Sequence, residues 1–538
     1  MICRPTLCLL PLFIAATQLA SGAPVTSPST SKSVELKLEP GEYWWGGMSV
    51  DGPQMPYGAG NFSRDLDGND GTNQAQPLLI SSHGRYVWSE QPFAYKFGGG
   101  ALTVTSKYGP VATGRQGRTL REAFAFVSKK YFPANGKHPD PLMFTHPQYN
   151  TWIELMYDQN EADVLKYAQA IVDQGYPPGV LMIDDNWQED YGTWEFSARR
   201  FKDPTAMMAR LHQLGFKVML WVVPFVSPDS AVYRDLSKRG LLLRESTGTA
   251  QEPALIRWWN GASAVLDLSN PKSEEWFDGR LRHLSETYGV DGYKFDAGDA
   301  SFYTGRIASF KSELSNDHTS LWAGVGLRYP LNEFRATWKM AGLPLAQRLR
   351  DKRHSWEDLQ QLIPGILAQG LMGYAFTCPD MIGGGEFDSF LNHATVDQEL
   401  VVRSAQVSAL MPMMQFSVAP WRVLDERHAA IAKRMALLHA QFGPEILRLA
   451  EVSAHSGEPI VRPLAYAYPG TGYERIEDEF LLGSDVLVAP VLTKNAHSRR
   501  IVFPKGTWKG DDESTVVGPK TVEVAVPLER LPWYRRVQ

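Results

Sequence analysis

The chain has 538 residues, 43% hydrophobic and 21% charged, with a formal net charge of −5. That composition is globular and long enough for roughly two to four domains. The weak and dispersed charge argues against a nucleic-acid-binding or polybasic membrane-surface protein.

Residues 1–23 carry Arg4, an apolar run from Leu7 to Ala16 and small residues from Ala20 to Ala23, the layout of a signal peptide. The run is short for a membrane span, so the expectation is a secreted or periplasmic protein with no span in the mature chain; an uncleaved anchor is the alternative. Cys3 and Cys8 would leave with this segment, and Cys378 alone can form neither an intramolecular disulfide nor a cysteine metal cluster. No metal and no cofactor are expected.

Residues 24–33, with TSPSTSKS, read as a polar linker. From 34 to 140 the segments VELKLEP, YVWSE, FAYKF and ALTVTS alternate as strands do, and GAGNFSRDLDGNDGTNQ reads as a turn-rich loop. An antiparallel β-sandwich fits this N-terminal stretch.

Residues 141–445 change character. Strand-like segments occur at PLMFTHP, GVLMIDDNW, KVMLWVVP, DGYKFDAG, SLWAGVGL, LPLAQRLRD, GYAFTCPD and ALMPMMQFS, most of them separated by amphipathic patterns such as ADVLKYAQAIVDQG and SEEWFDGRLRHLSETYG. Strands alternating with helices predict parallel βα units, and eight of them predict a (β/α)8 TIM barrel; a doubly wound open sheet is the alternative. Residues 446–538, with VRPLAYAYP, EDEFLLGSDVLVAPVL and SRRIVFP, predict a C-terminal β-sandwich domain.

In a barrel, functional residues sit at the C-terminal ends of the strands. There the second segment ends in Asp184, Asp185 and Trp187, the third in Trp221, the fourth in Lys294, Asp296 and Asp299, the sixth in Asp351 and the seventh in Asp380. A single acidic strand end is commonly a helix N-cap, a reading that suits Asp203 and is an alternative for Asp380. It does not suit Lys294, Asp296 and Asp299 repeated along one exit, because ionised groups are costly to bury unless paired or used. Several carboxylates around one cavity suit glycoside cleavage, in which one carboxylate attacks the anomeric carbon and another protonates the leaving oxygen. Trp187, Trp221 and Trp259 could offer faces to a sugar ring or could be core.

GYKFDAGD resembles the nucleophile segment of glycoside hydrolase family 31, and DKRHSWEDL resembles its acid/base segment. The resemblance implies Asp296 as nucleophile and Asp351 as acid/base. It further implies Arg335, Asp184, Lys294, Asp299 and Asp380 as substrate-binding neighbours. It runs in preserved order from the IDDNW segment to FPKGTW and implies a retaining α-glycosidase acting on a terminal sugar of an oligosaccharide or glycoconjugate.

Two positions depart from the family pattern: Gln415 and Ser417 stand where Arg and His are usual, and Arg348 stands where Trp is usual. These departures, and the similarity to a branch containing α-galactosidases, favour an α-galactoside. Asp185 beside Asp184 fits that substrate if both face the pocket; alternation along a strand leaves open that only Asp184 does. An α-glucosidase, an α-xylosidase and a non-catalytic carbohydrate-binding relative are the alternatives. A raised pKa is expected for Asp351, so that it holds a proton while Asp296 is ionised.

Overall fold

A computed structural model describes residues 29–68, 73–246, 252–305, 307–311, 313–391 and 396–538. The segment read as a signal peptide lies outside these residues.

Eight parallel strands form the centre: β1 (Gln148–Asn150), β2 (Val180–Ile183), β3 (Lys217–Val222), β4 (Gly292–Phe295), β5 (Asn332–Phe334), β6 (Gln347–Arg348), β7 (Thr377–Cys378) and β8 (Gln415–Phe416). They pair in the order β7-β6-β5-β4-β3-β2-β1-β8. A parallel bridge between Met381 and Gln415 brings the two ends of this sheet together, giving a nearly closed (β/α)8 barrel rather than an open sheet. The strands are apolar and buried on both faces (VLMI in β2, KVMLWV in β3), as strands of parallel sheets covered by helices are.

The surrounding helices include α1 (Glu161–Asp173), α2 (Pro204–Gln213), α3 (Pro271–Tyr288), α4 (Ser315–Gly326), α5 (Leu362–Leu371), α6 (Gln398–Ala409) and α7 (Glu426–Ser456). Their starts are written in the sequence. Asn160, Asp203, Asn270, Asp397 and Asp425 each accept a first-turn N–H, satisfying donors that the helix leaves unpaired. Helix α1 buries Val164, Tyr167, Ala168 and Ile171, the three- and four-residue spacing of an amphipathic face.

Three segments depart from the sequence reading. SLWAGVGL, expected as the fifth strand, lies in α4; the fifth strand is Asn332–Phe334. A short apolar run does not reveal its period, and here Asp317 reaches back to the Leu314 N–H to start a helix. PLMFTHP, expected as the first strand, forms the short helix Leu142–Thr145 started by Asp140, which accepts from the Leu142 N–H, and the strand follows at Gln148. Within the expected loop GAGNFSRDLDGNDGTNQ, Phe62–Asp65 is a strand paired with residues 94–97, because Phe62 stacks on Tyr57 with ring centroids 4.6 Å apart.

The N-terminal region is two sheets. One joins 33–37, 101–105, 94–98 and 62–65; the other joins 29–31, 111–115, 85–89, 74–81 and 44–48. The expected linker is therefore shorter than 24–33, since Ser29–Ser31 pairs with Val111–Thr113. The second sheet also takes in Thr337–Trp338 from the barrel, parallel to Gln74–Ala75. At this seam the Asn73 side chain donates to the Arg335 carbonyl at 2.8 Å and accepts from the Arg350 N–H at 2.8 Å. Gln74 Nε2 donates to the carbonyls of Arg335 and Arg348, each at 2.9 Å.

The C-terminal domain is a six-stranded sheet formed by residues from Val461 to Arg536. Helix α7 runs unbroken across position 445, past Pro444, to a left-handed Gly457. The barrel and the C-terminal domain thus meet along a helix rather than at a loop.

Candidate active site

The chain leaving β4 shapes the centre of the site. Asp296 follows the strand directly, and its N–H still donates to the Val222 carbonyl of β3 at 2.9 Å. Ala297 and Gly298 then take left-handed φ values of 54° and 76°, which turn the chain sharply and let the Ala297 N–H donate to Asp296 Oδ1 at 2.9 Å. A non-glycine residue held at positive φ is a strained position. Gly298 has no alternative, since a Cβ there would lie 2.2 Å from Trp322 Cδ1.

Above the strand ends lies a cavity of about 240 Å³, lined by Trp152, Tyr157, Asp184, Asp185, Trp221, Trp259, Lys294, Asp296, Arg335, Asp351, Met381, Gly385, Glu386 and Phe387. It is a space on the scale of one sugar unit, smaller than the roughly 300–1,000 Å³ of drug-sized sites. Eight of the eleven residues singled out from the sequence converge on it.

Asp296 is held by Trp221 Nε1, which donates to Oδ2 at 2.8 Å, and by Arg335, whose Nη1 lies 3.9 Å from Oδ1. Burial alone would raise its pKa. The charges of Arg335, Lys294 and Arg348 outweigh burial and hold the carboxyl below its ordinary value. Lys294 acts on Asp296 only through space, because its Nζ donates to Asp184 Oδ2 at 2.7 Å.

Asp184 and Asp185 both line the cavity. Their exit is fixed by the Asp184 N–H on Thr151 Oγ1 (3.0 Å) and the Asp185 N–H on Asp184 Oδ1 (2.9 Å), while Asn186 takes a left-handed φ of 73°. Asp185 accepts from Asn260 Nδ2 at 2.6 Å and from the Tyr191 hydroxyl at 3.2 Å. Burial and the adjacent Asp184 charge push its pKa up to about 7.

Three singled-out residues stand outside the cavity. Trp187 is fully buried core, its Nε1 donating to the Trp221 carbonyl at 2.8 Å. Asp299 lies behind the site, 3.3 Å from Arg335 Nε. Asp380 lies beneath it, accepting from Arg348 Nη1 at 2.9 Å and from the Lys352 N–H at 2.7 Å. Neither aspartate lines the cavity; each holds a cation of the site.

Asp351 differs from expectation in its pKa. Burial would raise its pKa, but Arg348, Lys294 and Arg335 bring it well below the ordinary carboxylate range, and Arg348 Nη1 donates to its Oδ1 at 2.6 Å. The direction is opposite to the raised pKa expected for this residue. The departures at Gln415 and Ser417 put no new group into the cavity: Gln415 donates to Glu333 Oε2 at 2.6 Å and Ser417 Oγ accepts from the Ile153 N–H at 2.8 Å.

Sequence reasoning missed Trp152, Tyr157, Glu386 and Phe387 as lining residues and Asn260 and Tyr191 as partners of Asp185. These sit on the long loops after β1, β2, β3 and β7, where no strand pattern announces them. The only advance signal was the run of aromatic residues in these loops.

This fold and site place the chain in the class of (β/α)8 barrels built on the glycoside hydrolase plan. The family model for the TIM-barrel domain of glycosyl hydrolases family 31 matches residues 141–446, and that for the family's C-terminal domain matches 457–537. The chain belongs to glycosyl hydrolases family 31. It is 36% identical over 409 residues to the myogenesis-regulating glycosidase of Mus musculus, covering 73% of this chain and 56% of that protein. To alpha-glucosidase 2 of Bacillus thermoamyloliquefaciens it is 28% identical over 407 residues, covering 70% of this chain and 50% of that protein. The chain thus spans about half the length of these curated relatives. Among solved structures, a family 31 dextranase of Flavobacterium johnsoniae complexed with glucose superposes with a TM-score of 0.82 at 18% identity, covering 94% of this chain and 66% of that one.

Proposed function

We propose that the protein is a retaining α-glycosidase that releases a terminal α-linked sugar, with an α-galactoside as the favoured substrate. Asp296 attacks the anomeric carbon while Asp351 protonates the departing glycosidic oxygen; water then attacks the glycosyl-aspartate with Asp351 accepting its proton. The observation that carries the reaction is Asp296, clamped by Trp221 and Arg335, in the same cavity as Asp351. A mechanism-based fluoro-sugar should label Asp296; labelling at Asp299 or Asp380 would refute the assignment.

Substrate choice rests on Asp184 and Asp185 both lining that cavity. Two adjacent carboxyl groups can accept from, or when protonated donate to, neighbouring hydroxyls, and a site built to bond a hydroxyl is left unpaired by the wrong epimer. A panel of nitrophenyl α-glycosides tests it, with kcat/KM for the α-galactoside expected to exceed the α-glucoside and α-xyloside by about a hundredfold or more. The runner-up is an α-glucosidase, the activity for which the Bacillus relative is named; preference for the α-glucoside would establish it while leaving the retaining mechanism intact. Export through the N-terminal segment belongs to the same proposal, and N-terminal sequencing of protein recovered outside the cell tests it.

A further inference from the structure

The first step needs Asp351 protonated, although Arg348 Nη1 donates to its Oδ1 at 2.6 Å. Beneath the cavity, the Arg348 guanidinium is 2% exposed and bound to three carboxylates. Nε pairs with Glu333 Oε1 at 3.2 Å, and Nη1 donates to Asp351 Oδ1 at 2.6 Å, to Asp380 Oδ1 at 2.9 Å and to the Leu349 carbonyl at 3.1 Å. Glu333 and Asp380 are 1% exposed; Asp351 is 31% exposed and reaches into the cavity. Gln415 Nε2 fixes the far oxygen of Glu333, and the Lys352 N–H fixes the far oxygen of Asp380.

We infer that Arg348 is the positioning residue for the acid/base group, with Glu333 and Asp380 as buried partners that keep Arg348 hydrogen-bonded while Asp351 gains and loses its proton. This rests on the assignment of Asp351 as acid/base. When Asp351 is ionised, the Nη1 bond aims it as the base that activates water. When it takes a proton, Arg348 keeps its bonds to Glu333 and Asp380, neither of which lines the cavity. A buried charge stripped of its partner is strongly destabilising, and this arrangement removes that penalty from the catalytic cycle. The other charges bearing on Asp351 are Lys294, Arg335 and Asp296 from neighbouring strand ends, Lys352 beside it and Glu386 across the cavity.

The test is the basic limb of the pH profile of kcat, which reports loss of the Asp351 proton in the enzyme–substrate complex. Arg348→Met combined with Glu333→Gln removes one cation and one anion together, so the buried charge balance is kept; this limb should move up by about one to three pH units. Asp380→Asn removes the competing acceptor and should move it down. Movement in opposite directions supports the inference; an unmoved limb in both, or movement in one direction, overturns it. Azide rescue of Asp351→Ala, measured alongside, separates the two readings. If rescue fails, the acid/base assignment falls and this inference with it. If rescue succeeds while the limbs stay in place, only the role of Arg348 is overturned.

Discussion

The indole of Trp221, on β3, donates its N–H to Asp296 Oδ2, at the end of β4, at 2.8 Å. Position 221 is registered beside Lys294 in the barrel, so the bond is a product of strand pairing and not of a flexible loop. Hydrogen bonding to the charged form of a carboxylate favours that form. Trp221→Phe keeps an aromatic face and deletes the donor. A bond to a charged group contributes about 1.5–3 kcal/mol, so kcat/KM should fall about 10- to 100-fold. Its acidic limb, which reports ionisation of Asp296, should move to higher pH. An unchanged limb would show that the indole acts only as a wall.

Asp351→Ala should harm substrates with poor leaving groups far more than activated aryl glycosides, whose leaving oxygen needs little protonation. The ratio of kcat/KM between a nitrophenyl glycoside and a disaccharide should therefore widen in the variant. Equal losses on both would count against the acid role.

Asp185 gives a stability signal with a definite sign. Its pKa is about 7 against an ordinary 3.8, so between those values the folded protein holds a proton that the unfolded chain has released. Folding then binds protons, and stability falls as pH rises through this window. Asp185→Asn removes the titration while keeping the shape. Melting temperatures of both proteins across the window should show the variant gaining on the wild type as pH rises; a constant difference would place the Asp185 pKa near its ordinary value.

Trp187 and Trp259 looked alike in the sequence and should behave in opposite ways. Trp187→Ala empties a fully buried site and should cost about 3–5 kcal/mol of stability. Trp259 is 44% exposed and sits under the Arg335 guanidinium, 4.9 Å from ring centroid to Cζ. Trp259→Ala should raise KM severalfold with a stability change of about 1 kcal/mol or less. Denaturant unfolding and steady-state kinetics on the two variants distinguish core from platform.

These cases also show what could be read from the chain before its structure. The barrel was legible because capped amphipathic helices alternate with apolar strands, and Asp296 because a charge at the end of a buried strand needs a reason. The fifth strand was not legible: Asn332–Phe334 is three residues long and polar at two of them, while the stronger apolar run SLWAGVGL belonged to a helix. Asp299 and Asp380 carried the right chemistry for a site, but only distances show that they bond Arg335 and Arg348 outside the cavity lining. The lowered pKa of Asp351 was out of reach for the same reason, since the nearest cation, Arg348, has its other carboxylate partners, Glu333 and Asp380, on β5 and just beyond β7.

The seam at Asn73 bears on the order in which the molecule becomes competent. Its bond to the Arg335 carbonyl joins positions 262 apart in the chain, and such distant contacts form late because loop closure must precede them. The residues it fixes, Arg335 and Arg350, flank the segment that ends at Asp351. A barrel collapsed without its N-terminal sheet would already bury its tryptophans, yet would lack the clamp on that segment. On refolding from denaturant, native fluorescence should return before turnover does, which makes catalytic activity the reporter of the last contacts to close.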